Sequence, residues 1–228
     1  MHDPIKITVN CYEAMLEQFL SVFLKPSCVF CQRTASDTIC QYCLQKLSSH
    51  QLNNQERLKL QQAESVFAWG KYDGQLKRAI ALMKYNNKPV IGNVIGKLLA
   101  QAWLNHDLAQ QKVTVIPIPL HRQKLKERGF NQAEIIARGF CQLTGYKLNT
   151  EALVRTRNTK AMFDLKTIAE RANNLQGAFS IGHKLPRSSV LIIDDIYTTG
   201  TTAQESIRVL QNNQIKVISV AVAAVAGQ

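Results

Sequence analysis

Acidic residues are scarce in this chain. Against 28 Lys and Arg it carries only 16 Asp and Glu in 228 residues, a formal net charge of +12. That imbalance turns the protein away from cationic partners and towards anionic ones: nucleic acid, phosphates or an acidic membrane surface. Long apolar runs are missing too. No segment reaches the roughly 20 apolar residues of a spanning helix, and the closing "VISVAVAAVAGQ" reads as a buried last strand. The opening "MHDPIKITVNCYEAML" has no basic start followed by a continuous apolar stretch and a small-residue cleavage site, so no secretory signal is expected. A cytoplasmic protein follows, with cysteines reduced or metal-bound rather than disulfide-linked. Repeats, low-complexity tracts and a Gly-Lys-Ser/Thr unit are all absent, which excludes a solenoid and a Walker-type nucleotide loop.

What is present suits a folded protein. A 46% hydrophobic, 19% charged composition supports a sizeable core, and 228 residues allow one large domain or one domain with an appendage. Residues 11–24 place Met15, Leu16, Phe19, Leu20 and Phe23 on one helical stripe. The polar, glutamine-rich segment 44–64 reads as a hinge or loosely held connection. We therefore expect an N-terminal module over 1–64 and a main domain over 65–228. In the latter, "SVFAWGKYDG", "KVTVIPIP", "YKLNTEALV", "SSVLIIDDI" and "IKVISVAVAAV" read as strands. "QLKRAIALMKYNN", "IGNVIGKLLAQAWLN", "NQAEIIARGFCQLTG" and "TAQESIRVLQNNQ" read as helices. Apolar strands alternating with helices predict an α/β fold with a mainly parallel, Rossmann-like sheet.

The stretch "CVFCQRTASDTICQYC" pairs Cys28 with Cys31 and Cys40 with Cys43, two residues apart in each pair. One tight turn aims two sulfurs at a point, and two such turns complete a tetrahedron suited to structural zinc. A redox pair or unliganded thiols is the competing reading. Four sulfurs leave no open position for catalysis at the metal. Cys11 and Cys141 stand outside the pattern and read as small apolar residues in helices.

"VLIIDDIYTTGTT" carries the chemistry. A buried strand is expected to end at Ile193, and ligands of open α/β sheets bind beyond the carboxyl ends of strands. Asp194 and Asp195 stand there, followed by Ile196 and Tyr197 and the loop Thr198, Thr199, Gly200, Thr201 and Thr202. Loop amides, hydroxyls and a helix N-terminus together hold a phosphate. The carboxylates can accept hydrogen bonds from vicinal hydroxyls, so a sugar phosphate fits. An ordinary solvated turn with capping threonines is the plainer alternative.

A second basic stretch, "VIPIPLHRQKLKERGFNQAE", sets Pro117 and Ile118 at a strand end and follows them with Arg122, Lys124, Lys126 and Arg128. Such cation density suits a diphosphate or a nucleic-acid backbone, unless it is only a solvated basic loop. His121 could be a general acid or base, though a structural hydrogen bond is the commoner role of a lone histidine. Asn131 and Gln132 open the next helix. The polar segment from Arg155 onward supplies Arg157, Lys160 and Arg171. Phe30, Tyr42, Phe130 and Tyr197 are the candidate aromatic platforms for bases.

The thirteen residues from Val190 resemble the 5-phosphoribosyl diphosphate (PRPP) signature of type I phosphoribosyltransferases. Together with "QLKRAIALMKY", "PLHRQKLKERGFNQ", "RTRNTKAMFDL" and the four cysteines, they resemble the ComF family. The resemblance spans about 19–222. It implies a type I phosphoribosyltransferase fold with a small N-terminal zinc module, and a competence role in natural transformation. That role is the handling of incoming single-stranded DNA beside a helicase-like component of the uptake machinery, with partners that could dock it at the inner face of the membrane. It implies PRPP or a related phosphorylated ribose as ligand, with Mg²⁺. On this view Asp194, Asp195 and Arg128 act at the reacting centre. Pro117, Ile118, Arg122 and the run from Ile196 to Thr202 hold the ligand. Lys124, Lys126, Arg128, Arg155, Arg157 and Lys160 face nucleic acid. The alternative is an active transferase that moves ribose-5-phosphate to an unidentified acceptor. Residues 155–172 would form its hood, where Met162 replaces the family's usual glutamine.

Overall fold

A computed structural model describes residues 27–64, 66–159 and 167–226. The expected helix over 11–24 therefore lies outside the described residues. The chain divides into two compact units after Gln45.

In the first unit, Cys28 to Gln32 form a tight turn. The Gln32 amide donates to the Cys28 carbonyl at 2.8 Å, and the Cys28 amide donates to the Arg33 carbonyl at 2.8 Å. Helix α1 (Gln41–Ser48) begins right after Cys40.

The segment expected to be a hinge is ordered structure. Helix α2 (Asn54–Glu64) opens with a reciprocal cap: Asn53 Oδ1 accepts from the Glu56 amide and Glu56 Oε2 from the Asn53 amide, both at 2.9 Å. Leu52 and Leu60 are buried, and the Arg57 side chain donates to the Ala68 carbonyl at 3.3 Å. Two leucines and a capping box outweigh the polar composition around them.

The main sheet holds β1 (Val66–Lys71), β2 (Val113–Pro117), β3 (Lys147–Leu148), β6 (Ser189–Tyr197) and β7 (Val217–Val225). Its order is β1-β7-β6-β2-β3, with every pairing parallel. Parallel strands need both faces covered, which is why they read as continuous apolar runs. Val190 and Ile192 of β6 join one core with Val209 and Leu210. Leu191 and Ile193 point to the other face and are equally buried. Around the sheet lie α3 (Gly74–Tyr85), α4 (Val90–Leu104), α5 (Arg122–Arg128), α6 (Gln132–Thr144), α7 (Ile168–Leu175) and α8 (Thr201–Asn212). Helices α4 and α6 cross closely: a Cβ at Gly139 would lie 2.3 Å from the Asn93 carbonyl oxygen.

Three expectations change in detail. "YKLNTEALV" is two strands, because Asn149 Oδ1 accepts from the amides of Glu151 and Ala152, both at 3.0 Å, and turns the chain. The second piece, β4 (Leu153–Arg155), pairs antiparallel with β5 (Phe179–Ile181) away from the main sheet. The basic stretch after His121 is the helix α5 rather than a loop. Strand β6 does not stop at Ile193: β7 is just as long, and Asp194 pairs with Val222 and Tyr197 with Val225. The acidic pair therefore sits inside the last turns of the strand.

Candidate functional site

Successive residues of a strand face opposite sides, so β6 aims its two carboxylates differently. Asp195 is buried at 8% exposure, and its Oδ2 meets Lys84 Nζ at 2.5 Å. Burial works against the Lys84 ammonium, but Asp195 outweighs it and holds the Lys84 pKa above its ordinary value. Asp194 Oδ1 accepts the Asp195 amide at 2.8 Å. Burial, reinforced by the neighbouring Asp195, pushes the Asp194 carboxyl up to about 7. The Tyr72 hydroxyl stands in the same field: burial raises its pKa and Lys84 pulls it back.

Lys84 was not among the residues singled out above. It sits in the last turn of α3, four residues past the buried Ile80 and next to the buried Met83. A lysine flanking a buried stripe is the signal that could have found it.

Beyond Tyr197 the chain turns. Gly200 has φ of 73° and precedes α8, a backbone region that glycine enters without steric cost. A Cβ there would lie 2.2 Å from the Tyr197 hydroxyl oxygen. Among the described residues the amides of Thr198, Thr199 and Gly200 find no acceptor, and the first amides of α8 lack one by construction. Thr199 and Thr201 bring their hydroxyls within 2.9 Å of each other. Asp194, Ile196, Thr198, Thr199, Thr201 and Thr202 share one small recess. It offers unpaired donors at a helix N-terminus, which is what a phosphate group requires. The Asp194 carboxylate that lines it is a hard oxygen donor, which fits the Mg²⁺ of a Mg²⁺–diphosphate.

Pro117 closes β2 opposite Ile193. The Ile118 amide donates to the Ile193 carbonyl at 2.8 Å, and Asn131 Nδ2 donates to the Ile118 carbonyl at 2.9 Å. Pro117 and Ile118 are both buried, and neither lines the recess. His121 caps α5, its Nδ1 accepting from the Gln123 amide at 3.3 Å; its role here is structural. Asn131 caps α6 in the same way at 3.1 Å.

The basic residues divide. Arg122 and Lys126 are exposed on α5. Lys124 Nζ donates to the Thr159 carbonyl at 3.0 Å, and the Thr159 hydroxyl accepts from Arg155. Buried Thr159 thus ties α5 to the start of the expected hood. Arg128 lies 6.0 Å from the Tyr85 ring centre and Arg155 5.3 Å from that of Phe179. Arg157 donates to the Gln176 carbonyl at 2.6 Å. Burial lowers the Arg155 pKa while Asp194 draws it up, which brings this cation into the field of the acidic pair. Lys160 and Met162 lie outside the described residues, and Arg171 falls in α7. Of the aromatic platforms, Phe30 and Tyr197 are buried at 5% and 7% exposure and are packing residues. Tyr42 is half exposed with Arg33 over its ring, and Phe130 is half-buried.

In the first unit the sulfurs of Cys28, Cys31, Cys40 and Cys43 lie within 4.8 Å of one another. Zn–S bonds of about 2.3 Å place tetrahedral sulfurs about 3.8 Å apart, and Cys31 and Cys40 stand at 3.6 Å. The donor set fits zinc with no vacant position. Cys141 lies apart in α6, and burial pushes its thiol up to about 12.

A parallel sheet with an acidic pair and an anion-binding turn at its carboxyl edge defines the class of protein. The model of the phosphoribosyl transferase domain matches residues 83–228, and the chain belongs to that family. It is 26% identical over 199 residues to the DNA utilization protein YhgH of Escherichia coli O157:H7, covering 85% of this chain and 87% of that protein. Competence protein F of Haemophilus influenzae is 25% identical over 202 residues, with the same coverages. Competence protein ComFC of Bacillus subtilis is 24% identical over 187 residues, 80% of this chain and 70% of that protein. No helix among the described residues is long and apolar enough to cross a membrane.

Proposed function

We propose that the protein is a ComF-type competence factor of the cytoplasm, which binds PRPP with Mg²⁺ and handles incoming single-stranded DNA in natural transformation. The observation that carries the ligand is the carboxyl edge of β6: Asp194 beside the unpaired amides of Thr198, Thr199 and Gly200 and the threonine hydroxyls around them. On this reading the carboxylates hold the ribose hydroxyls and the threonine loop holds the 5′-phosphate. Arg122, Arg128 and Arg155 offer cations to the diphosphate, which Mg²⁺ would also bridge. The names of three relatives and the net charge of +12 support the DNA role.

Transfer of the ribose-5-phosphate to an acceptor is the second reading. One observation favours it: a cavity of about 410 Å³ at the carboxyl ends of β1 and β7, lined by Leu52, Leu60, Lys71, Tyr72 and Val225. Tyr72 joins that cavity to the Lys84–Asp195 pair, so an acceptor ring there would lie beside the ribose site. Release of pyrophosphate in the presence of candidate bases tests this reading.

Calorimetric titration with Mg²⁺ and PRPP tests the first. Saturable binding is expected in the intact protein. It is expected to be lost in D194A/D195A, with the zinc content unchanged. Equal PRPP affinity in the double variant overturns the site.

A further inference from the structure

The opposite end of the sheet carries a feature that none of the roles above uses. All five strands run parallel, so their amino ends share one edge. Four neighbouring strands in the order β7-β6-β2-β3 each bring a cation to it. Lys216 immediately precedes β7, Arg187 comes two residues before β6, Lys112 immediately precedes β2 and Lys147 opens β3. The register holds these ends level: Val217 lies opposite Val190, Ser189 opposite Val113 and Lys147 opposite Thr114. All four cations are exposed, and none is engaged in an ion pair among the described residues. Acidic residues at this end include Glu151, held by Lys184 at 3.0 Å, Asp107 in the short turn before β2, and Glu64 two residues before β1, beside the strand that brings no cation.

Part of this edge is hollow. A cavity of about 620 Å³ opens beside Lys147 and Arg187, with Lys184 and Leu185 on its rim. Its floor includes the hydroxyls of Thr114 and Ser188, which hydrogen-bond to each other at 2.8 Å.

We infer that this amino edge is a binding track for the phosphate backbone of single-stranded nucleic acid. Strands about 4.8 Å apart set the four cations in a row, a linear array of positive charge that suits a chain of phosphates. A row of four extends past the cavity, which fits a linear polyanion better than one compact phosphate. Strand β6 has nine residues, about 30 Å of length, between this edge and the threonine loop, so both ligands can be held at once. The inference rests on the reading of the protein as one that handles single-stranded DNA, and it moves that contact away from α5.

The test is fluorescence anisotropy with a labelled 20-nucleotide oligodeoxythymidylate over a series of KCl concentrations. The quadruple variant K112Q/K147Q/R187Q/K216Q is expected to bind at least about tenfold more weakly at 50 mM KCl. Its plot of log affinity against log salt should be shallower by about 2 to 3, since each lost single-strand contact removes about 0.7. PRPP binding should not change, and exchanging each lysine for arginine and Arg187 for lysine should preserve DNA affinity. Unchanged affinity and slope in the quadruple variant, with normal binding by the parent, overturn this track alone. Displacement of the oligonucleotide by PRPP also overturns it, because the two sites would then coincide. Absence of oligonucleotide binding in the parent at low salt, or binding to phosphatidylglycerol vesicles instead, overturns both the track and the DNA role. The sugar-phosphate reading stands or falls separately on the PRPP titration.

Discussion

At the scale of single residues, the acidic pair is held in an unequal state. Asp195 has an ammonium at 2.5 Å, while desolvation and the neighbouring carboxylate push the Asp194 carboxyl up to about 7. An ordinary aspartate titrates at about 3.8, so between those two pH values the folded protein binds a proton that the unfolded chain has lost. Stability from this residue is therefore full at low pH and falls as pH rises through 7. Replacing Asp194 by Asn removes that dependence. Melting curves from pH 4 to 8 should show the D194N variant close to the parent at pH 4 and progressively more stable above it, by several degrees at pH 8. Parallel curves would mean that the Asp194 carboxyl is not buried against its charge. The same loss of charge should weaken Mg²⁺–PRPP binding, so the substitution separates a cost in stability from a gain in function.

At the scale of elements, the site depends on how β6 turns into α8. Gly200 answers two demands at once, a φ of 73° and the Tyr197 hydroxyl against its missing side chain. The Gly200→Ala variant should lose about 1 to 2 kcal/mol from the backbone conformation alone. The loop must then shift, and PRPP affinity should fall tenfold or more. Calorimetry and a thermal melt, compared with a Thr198→Ser control, check both effects; unchanged PRPP affinity in the alanine variant would remove the loop from the site. This turn was legible in the sequence because a buried parallel strand is an apolar run and a glycine before a helix is a local signal. The same holds for the Asn131 cap and the Gly145 stop of α6. Helix α5 was not legible: "RQKLKER" is charged almost throughout and shows no apolar stripe, so Gly129 signals a turn with no helix apparent before it. Helix α2 was obscured by its glutamines, although Asn53 and Glu56 carried its capping box. Lys84 escaped because its partner Asp195 lies across the fold: its place beside a buried stripe marks the position in the sequence but not the partner.

At the scale of the whole molecule, the chain joins two compact units stabilised by different physics. The unit after Gln45 has a core of parallel strands and helices, with Val190 to Ile193 and Val220 to Ala224 almost wholly removed from solvent. Hydrophobic burial on that scale needs no metal. The described part of the first unit is short and buries little beyond Cys28, Phe30, Ala35, Ile39 and Cys43. So few apolar side chains rarely stabilise a fold without a staple, and four converging sulfurs could supply one by holding a metal. Sequence spacing was enough to find this staple, since two Cys-x-x-Cys pairs constrain geometry directly. The Cys28→Ser variant should therefore lose zinc and the protection of residues 27–45 against hydrogen exchange, while 190–225 stay protected. PRPP binding should persist at the parent's affinity. Elemental analysis, hydrogen exchange by mass spectrometry and the calorimetric titration measure these three effects on one preparation. A zinc-free variant with residues 27–45 still protected would show that the sulfurs merely pack; loss of protection across 190–225 would show that the metal stabilises the sheet as well.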